Sequence, residues 1–159
     1  MKNKIYYVTS KQWEFVYNNM NKDNLMYFEI DGKEIQTVHA FIDAMIETFQ
    51  LPDEHRYRFT EPERINGTNW PAFQDRMTDL FWFNDFEAPK PICFVIKNFN
   101  KFLSSLTDEK RYVHEVGYVT KKEYVMWNFE EVILPFWEEE VEQVVVEGKK
   151  RSFNVYCVD

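Results

Sequence analysis

The run Ile92-Cys93-Phe94-Val95-Ile96 is apolar at every position, and it is entered through Pro91 and left through Lys97-Asn98. In a strand, successive side chains point to opposite faces, so a strand apolar on both faces has to be covered on both sides. That demand predicts a central strand in an α/β sheet with packed layers above and below it. A chain of 159 residues, 45% hydrophobic and 18% aromatic, can close one such core, and its length calls for no second domain. The expectation is a single domain over residues 1–159.

Around that strand the pattern supplies helices and further strands. The segment "KIYYV" reads as a strand and "KQWEFVYNNM" as a helix, with Thr9 and Gln12 at capping-box spacing. Asp31-Gly32, inside "YFEIDGKEIQ", predicts a hairpin or a turn. Phe41, Ile42, Met45, Ile46 and Phe49 recur at helical spacing over 38–49, and Leu51-Pro52 stops that run. "DEHRYRFTEPER" reads as a long polar loop, and Phe99 to Leu106 as a short helix. Asn128 with Glu131 has capping spacing, and Pro135 predicts a break or restart. Trp137, Val141, Val144 and Val145 keep helical period up to Gly148, although "VVV" also suits a strand, and "SFNVYCV" alternates as a last strand. The stretch between Thr107 and Trp127 has a mixed pattern that assigns no element.

Several chemistries find no pattern to rest on. His39, His55 and His114 are scattered outside any metal-ligand spacing, and four glycines cannot furnish a nucleophile elbow or a phosphate-cradling loop. Glu138, Glu139 and Glu140 are adjacent, so on a helix they diverge and read as a solvated face. No cofactor, no metal and no enzymatic activity are expected. A net charge of −8 disfavours direct nucleic-acid binding and suits a basic protein partner, or a merely solvated surface. Cys93 and Cys157 each lie in an apolar run, as small buried hydrophobes do. The N-terminal stretch lacks the apolar core of a secretory signal and no run is long enough to span a membrane, so a soluble, cytoplasmic protein with no membrane partner is expected.

The stretch "INGTNWPAFQDRM" stands apart. Gly67 permits a sharp turn, Asn69 or Trp70 can cap, and Pro71 suits the first turn of a helix. Phe73, Met77, Leu80 and Phe81 then form an apolar face, and Asp75 and Asp79, four apart, share the opposite one. Trp70 at the helix start serves equally as a core residue or as a half-exposed interface anchor.

Taken in order, "IDGKEI", the helix ending "LP", the "GTN" turn before an acidic helix, the buried "CFVI" and the closing "EG…FNVYCV" resemble the barstar family of intracellular ribonuclease inhibitors. The likeness covers Tyr27 to Asp159, leaving residues 1–26 as an N-terminal extension, with insertions near 53–64 and 107–126. It implies a three-stranded parallel sheet packed with helices. It also implies that the turn and acidic helix plug the active site of a basic ribonuclease, as an immunity protein does for the cell making the toxin. The positions it marks for partner binding are Gly67, Asn69, Trp70, Ala72, Asp75, Thr78 and Gln143, the last beside Glu140 and Glu142, and Asp79 joins them by sharing the face of Asp75. Pro71 and Gln74 depart from the pattern, standing where the family has an acidic contact and a tryptophan. They leave room for a barstar-like interaction module with a target other than a ribonuclease.

Overall fold

The computed structural model describes residues 2–51, 70–85, 87–106, 109–138, 141–142, 147–148 and 150–159. Four parallel strands form its sheet, in the order β1 (Ile5–Val8), β8 (Phe153–Val158), β3 (Ile92–Lys97), β2 (Met26–Asp31). The sheet therefore has four strands and not three. The extra one comes from the N-terminal extension, where "KIYYV" pairs with the last strand in the register Ile5 to Val155 through Val8 to Val158. Every residue of β3 from Ile92 to Ile96 is buried, as its unbroken apolar run requires.

The two faces of the sheet differ in cover. On one, α2 (Val38–Phe49) and α3 (Trp70–Met77) pack with the later helical segment onto Ile30, Phe94, Ile96, Phe153 and Val155. On the other, α1 (Ser10–Asn18) lays Trp13 against Cys93, Val95 and Val158. The capping box that opens α1 is formed, with Gln12 N–H donating to Thr9 Oγ1 (3.1 Å) and Thr9 N–H to Gln12 Oε1 (2.9 Å). Burial pushes the thiols of Cys93 and Cys157 up to about 12, so both stay protonated.

Local departures from the sequence pattern have physical reasons. Asp31-Gly32 makes a turn and no hairpin: β2 ends, a 3₁₀ turn follows over Gly32–Glu34, and the chain moves into α2. Phe99–Leu106 divides into two 3₁₀ turns, Phe99–Lys101 and Ser104–Leu106. The unassigned stretch holds an antiparallel pair, β4 (Lys110–Val113) with β5 (Gly117–Thr120), and then a helix α4 (Lys121–Trp127) capped by a second box, Thr120 with Glu123. Pro135 does not break the helix that α4 starts. The turn over Asn128–Ile133 widens to π geometry, with Leu134 N–H reaching back to Phe129 O, and the chain passes through Pro135 into α5 (Leu134–Phe136). Widening shifts the carbonyls that a proline ring would strike in an α-helix. Asn128 is consequently no N-cap; its buried carboxamide donates to Tyr124 O at 2.8 Å. After Trp137 the helix expected to continue to Gly148 gives way to a short antiparallel pair, β6 (Val141–Glu142) with β7 (Glu147–Gly148).

Among the described residues, no helix is long and apolar enough to cross a membrane.

Candidate interaction site

Helix α3 carries Trp70, Ala72 and Asp75, and Thr78 and Asp79 follow directly after it; its sequence explains its orientation. Trp70, Phe73 and Met77 recur at three- and four-residue spacing and are buried together. Trp70 is only 3% exposed. Its indole meets Tyr124 edge-on with centroids 5.0 Å apart and also contacts Phe41 and Phe73. Of its two readings the structure shows the buried one, with the ring packed in the core. The end of the helix is held by Trp137, whose Nε1–H donates to Met77 O at 3.0 Å, and by a left-handed Leu80. Beyond it, Trp82 Nε1–H donates to Phe49 O at 2.8 Å, tying this helix to the last turn of α2.

Anchoring one face fixes what the other presents. Asp75 is exposed, and no ion pair engages it among the described residues. Asp79 shares its side of the helix but not its setting. Its side chain is 17% exposed and lies 3.8 Å from Arg76 Nη1. Burial raises its pKa above the usual Asp value and the charge of Asp75 adds to this, while Arg76 and the Phe81 N–H pull the other way. The Thr78 hydroxyl, half-buried, donates to Gln74 O at 2.8 Å. Ala72 is half-buried against the core. Gln74 turns its carboxamide inward to Asn128 Oδ1. The structure thus brings Asp75, Thr78 and Asp79 to one side of α3, with Asp75 the most accessible. Gly67, Asn69 and Gln143 lie outside the described residues, as do Glu140 and the side chain of Glu142.

A second concavity was not visible in the sequence. At the carboxyl ends of β3 and β8, a crevice of about 320 Å³ is lined by Ser10, Trp13, Glu14 and Tyr17 of α1 with Lys97, Asn98 and Val158. Open parallel sheets commonly receive ligands at this edge. Lys97 lies 3.3 Å from Glu29, which also accepts the Tyr27 hydroxyl at 2.6 Å. Burial, then that hydrogen bond, raises the Tyr27 pKa, so the phenol is a fixed donor here. Its residues come from three distant segments, and only their strand ends signal it.

No protein-family model, no curated protein and no solved structure matches this chain.

Proposed function

We propose that this protein is a barstar-like, non-enzymatic inhibitor of a basic ribonuclease, serving as an immunity protein for the cell that makes the toxin. The observation that carries the reading is Asp75: an exposed carboxylate, without an ion pair among the described residues, on a helix locked to the core along its opposite face. The parallel order β2, β3, β8, with α2 and α3 between β2 and β3, supports the family resemblance.

The mechanism needs no chemistry on this chain. A ribonuclease cleft that binds RNA phosphate presents Arg and Lys, and an aspartate held out on a rigid helix can take the phosphate's place through charge-assisted hydrogen bonds. A net charge of −8 draws the basic enzyme in from a distance. Asp79, shielded and paired with Arg76, contributes field more than contact. The partner is a protein; nucleic acid is excluded from the complex by it.

One observation favours the second reading, an interaction module with a different target. Gln74 is engaged with Asn128 and Trp70 is buried, so two aromatic or polar contacts available to the family are absent from this surface.

The test is titration of basic bacterial ribonuclease toxins with this chain, following RNA cleavage and association rate. Stoichiometric inhibition and an on-rate that falls steeply with salt are expected. Asp75→Ala should weaken the complex by about 2–5 kcal/mol, because it strands a buried cation in the enzyme. Asp75→Lys should abolish inhibition with the unfolding midpoint unchanged. Inhibition that survives Asp75→Lys sinks the assigned site. Binding to a partner that has no nuclease activity, with every ribonuclease left active, favours the second reading.

A further inference from the structure

Strand β1 is an outer strand of the sheet, and among the described residues no strand pairs with its outer edge. Val155 N–H donates to Lys4 O and Asp159 N–H to Val8 O, both at 3.0 Å, so Lys4, Tyr6 and Val8 turn their backbone groups toward β8. By strand alternation the N–H and C=O groups of Ile5 and Tyr7 point outward. Such an edge is a template for another strand, and proteins usually blunt it with a charge, a proline or a bulge. The opposite edge, β2, carries Glu29 and Asp31. Between Ile5 and Val8 there is no charge and no proline, and the pairing with β8 runs without interruption. Instead the strand displays two tyrosines, Tyr6 at 37% and Tyr7 at 64% exposure, on opposite faces.

The charges beside this edge have a direction. A groove of about 530 Å³ follows it, lined by Lys2, Lys4 and Tyr7 on the strand side and by Glu130, Glu131 and Glu138 on the helical side. Glu138 accepts the Asn3 N–H at 3.0 Å, while the charge of Glu130 acts on Tyr7, so the helical segment runs opposite to β1. Lys2 and Lys4 mark the start of the strand, where Glu138 offsets part of their charge, and Glu130 and Glu131 flank its far end. A surface with a basic end and an acidic end is complementary to itself when turned about a two-fold axis, which is the requirement of a symmetric dimer.

We propose that β1 pairs antiparallel with β1 of a second copy of this chain, giving one continuous sheet across a two-fold axis at Tyr6. In that register Ile5 stands opposite Tyr7 of the second copy, and each exchanges N–H and C=O with the other. The two Tyr6 rings meet across the axis on the α1 face, a favourable cross-strand aromatic pair. Neither Asp75 nor the ribonuclease reading enters this argument.

Sedimentation equilibrium on the full chain tests it, together with amide hydrogen exchange. A mass twice the 19.4 kDa of one chain is expected, with exchange at Ile5 and Tyr7 slowing as concentration rises. Tyr7→Pro removes an outward N–H, which an edge strand tolerates, and Tyr6→Lys sets like charges against each other across the axis. Both variants should be monomeric, with a circular dichroism spectrum near that of the unmodified chain. The proposal is overturned if the unmodified chain is monomeric at its highest soluble concentration, if both variants stay dimeric, or if the two amides exchange at a rate independent of concentration. Uptake of an unrelated extended peptide along β1 by a monomer overturns it as well.

Discussion

Asp75 and Asp79 lie four residues apart on α3, yet the protein treats their charges differently. Solvent surrounds Asp75, whereas Asp79 keeps its carboxylate charged against the cost of burial with help from Arg76 and the Phe81 N–H. Its pKa is raised in the folded state, so the stability this residue permits is complete below the ordinary value of 3.8 and is lost as pH rises through the raised one. Asp79→Asn removes that loss. The variant's stability relative to the unmodified protein should therefore be more favourable at about pH 7 than at about pH 3, where both carry a neutral group. Urea midpoints at the two pH values measure it, and a difference that is the same at both, or reversed, refutes it. Sequence spacing revealed that the two aspartates share a side of the helix. It could not reveal their unequal burial, which depends on the chain turning at Leu80 and bringing Phe81 beside Asp79.

At the scale of elements, what is encoded within a few residues was legible and what depends on distant neighbours was not. The Thr9 capping box and the end of α2 before Pro52 follow from spacings of three or four residues. The Thr120 box has the same spacing but lies behind a strand pair whose pattern is mixed: Tyr112 and Tyr118 are exposed although aromatic. Gly32 shows how a correct local signal can carry a wrong reason. It suggested a hairpin or a turn on conformational grounds, but the need for glycine is one of room. A Cβ there would stand 2.7 Å from Asn98 O, 2.8 Å from Lys97 O and 2.8 Å from Phe102 Cβ. Two of those atoms belong to the backbone where β3 ends, and they are held near β2 by Asn98 Nδ2–H donating to Asp31 Oδ1 at 2.8 Å. Gly32→Ala should thus cost about 1–3 kcal/mol by overpacking. Chemical denaturation would report it, and an unchanged midpoint would mean that the ends of β2 and β3 separate at negligible cost.

Over the whole molecule, the sequence pattern requires cover on both faces of β3 without saying what provides it. One cover, α2 with α3, comes from residues beyond β2; the other is α1, from the first 26 residues, and β1 joins β8 across a separation of 150 residues at Lys4 and Asn154. No periodicity encodes a pairing at that range, which is why the strand read in "KIYYV" was not placed in the sheet. The two layers are unequal in a way that can be measured. Trp13 is the buried residue of α1, and it packs with Cys93, whereas Cys157 points into the larger cluster on the other face. Trp13→Ala should cost about 3–5 kcal/mol, the range for removing a buried aromatic side chain. Its effect should also be one-sided: loosening α1 uncovers Cys93 while α2 and its neighbours still cover Cys157. In the unmodified protein both thiols are buried and protonated and should resist a thiol reagent. In Trp13→Ala, Cys93 should react first, well below the denaturant midpoint, with Cys157 reacting only on global unfolding. Simultaneous labelling of the two at every denaturant concentration would show instead that the thin layer and the thick one open as one cooperative unit.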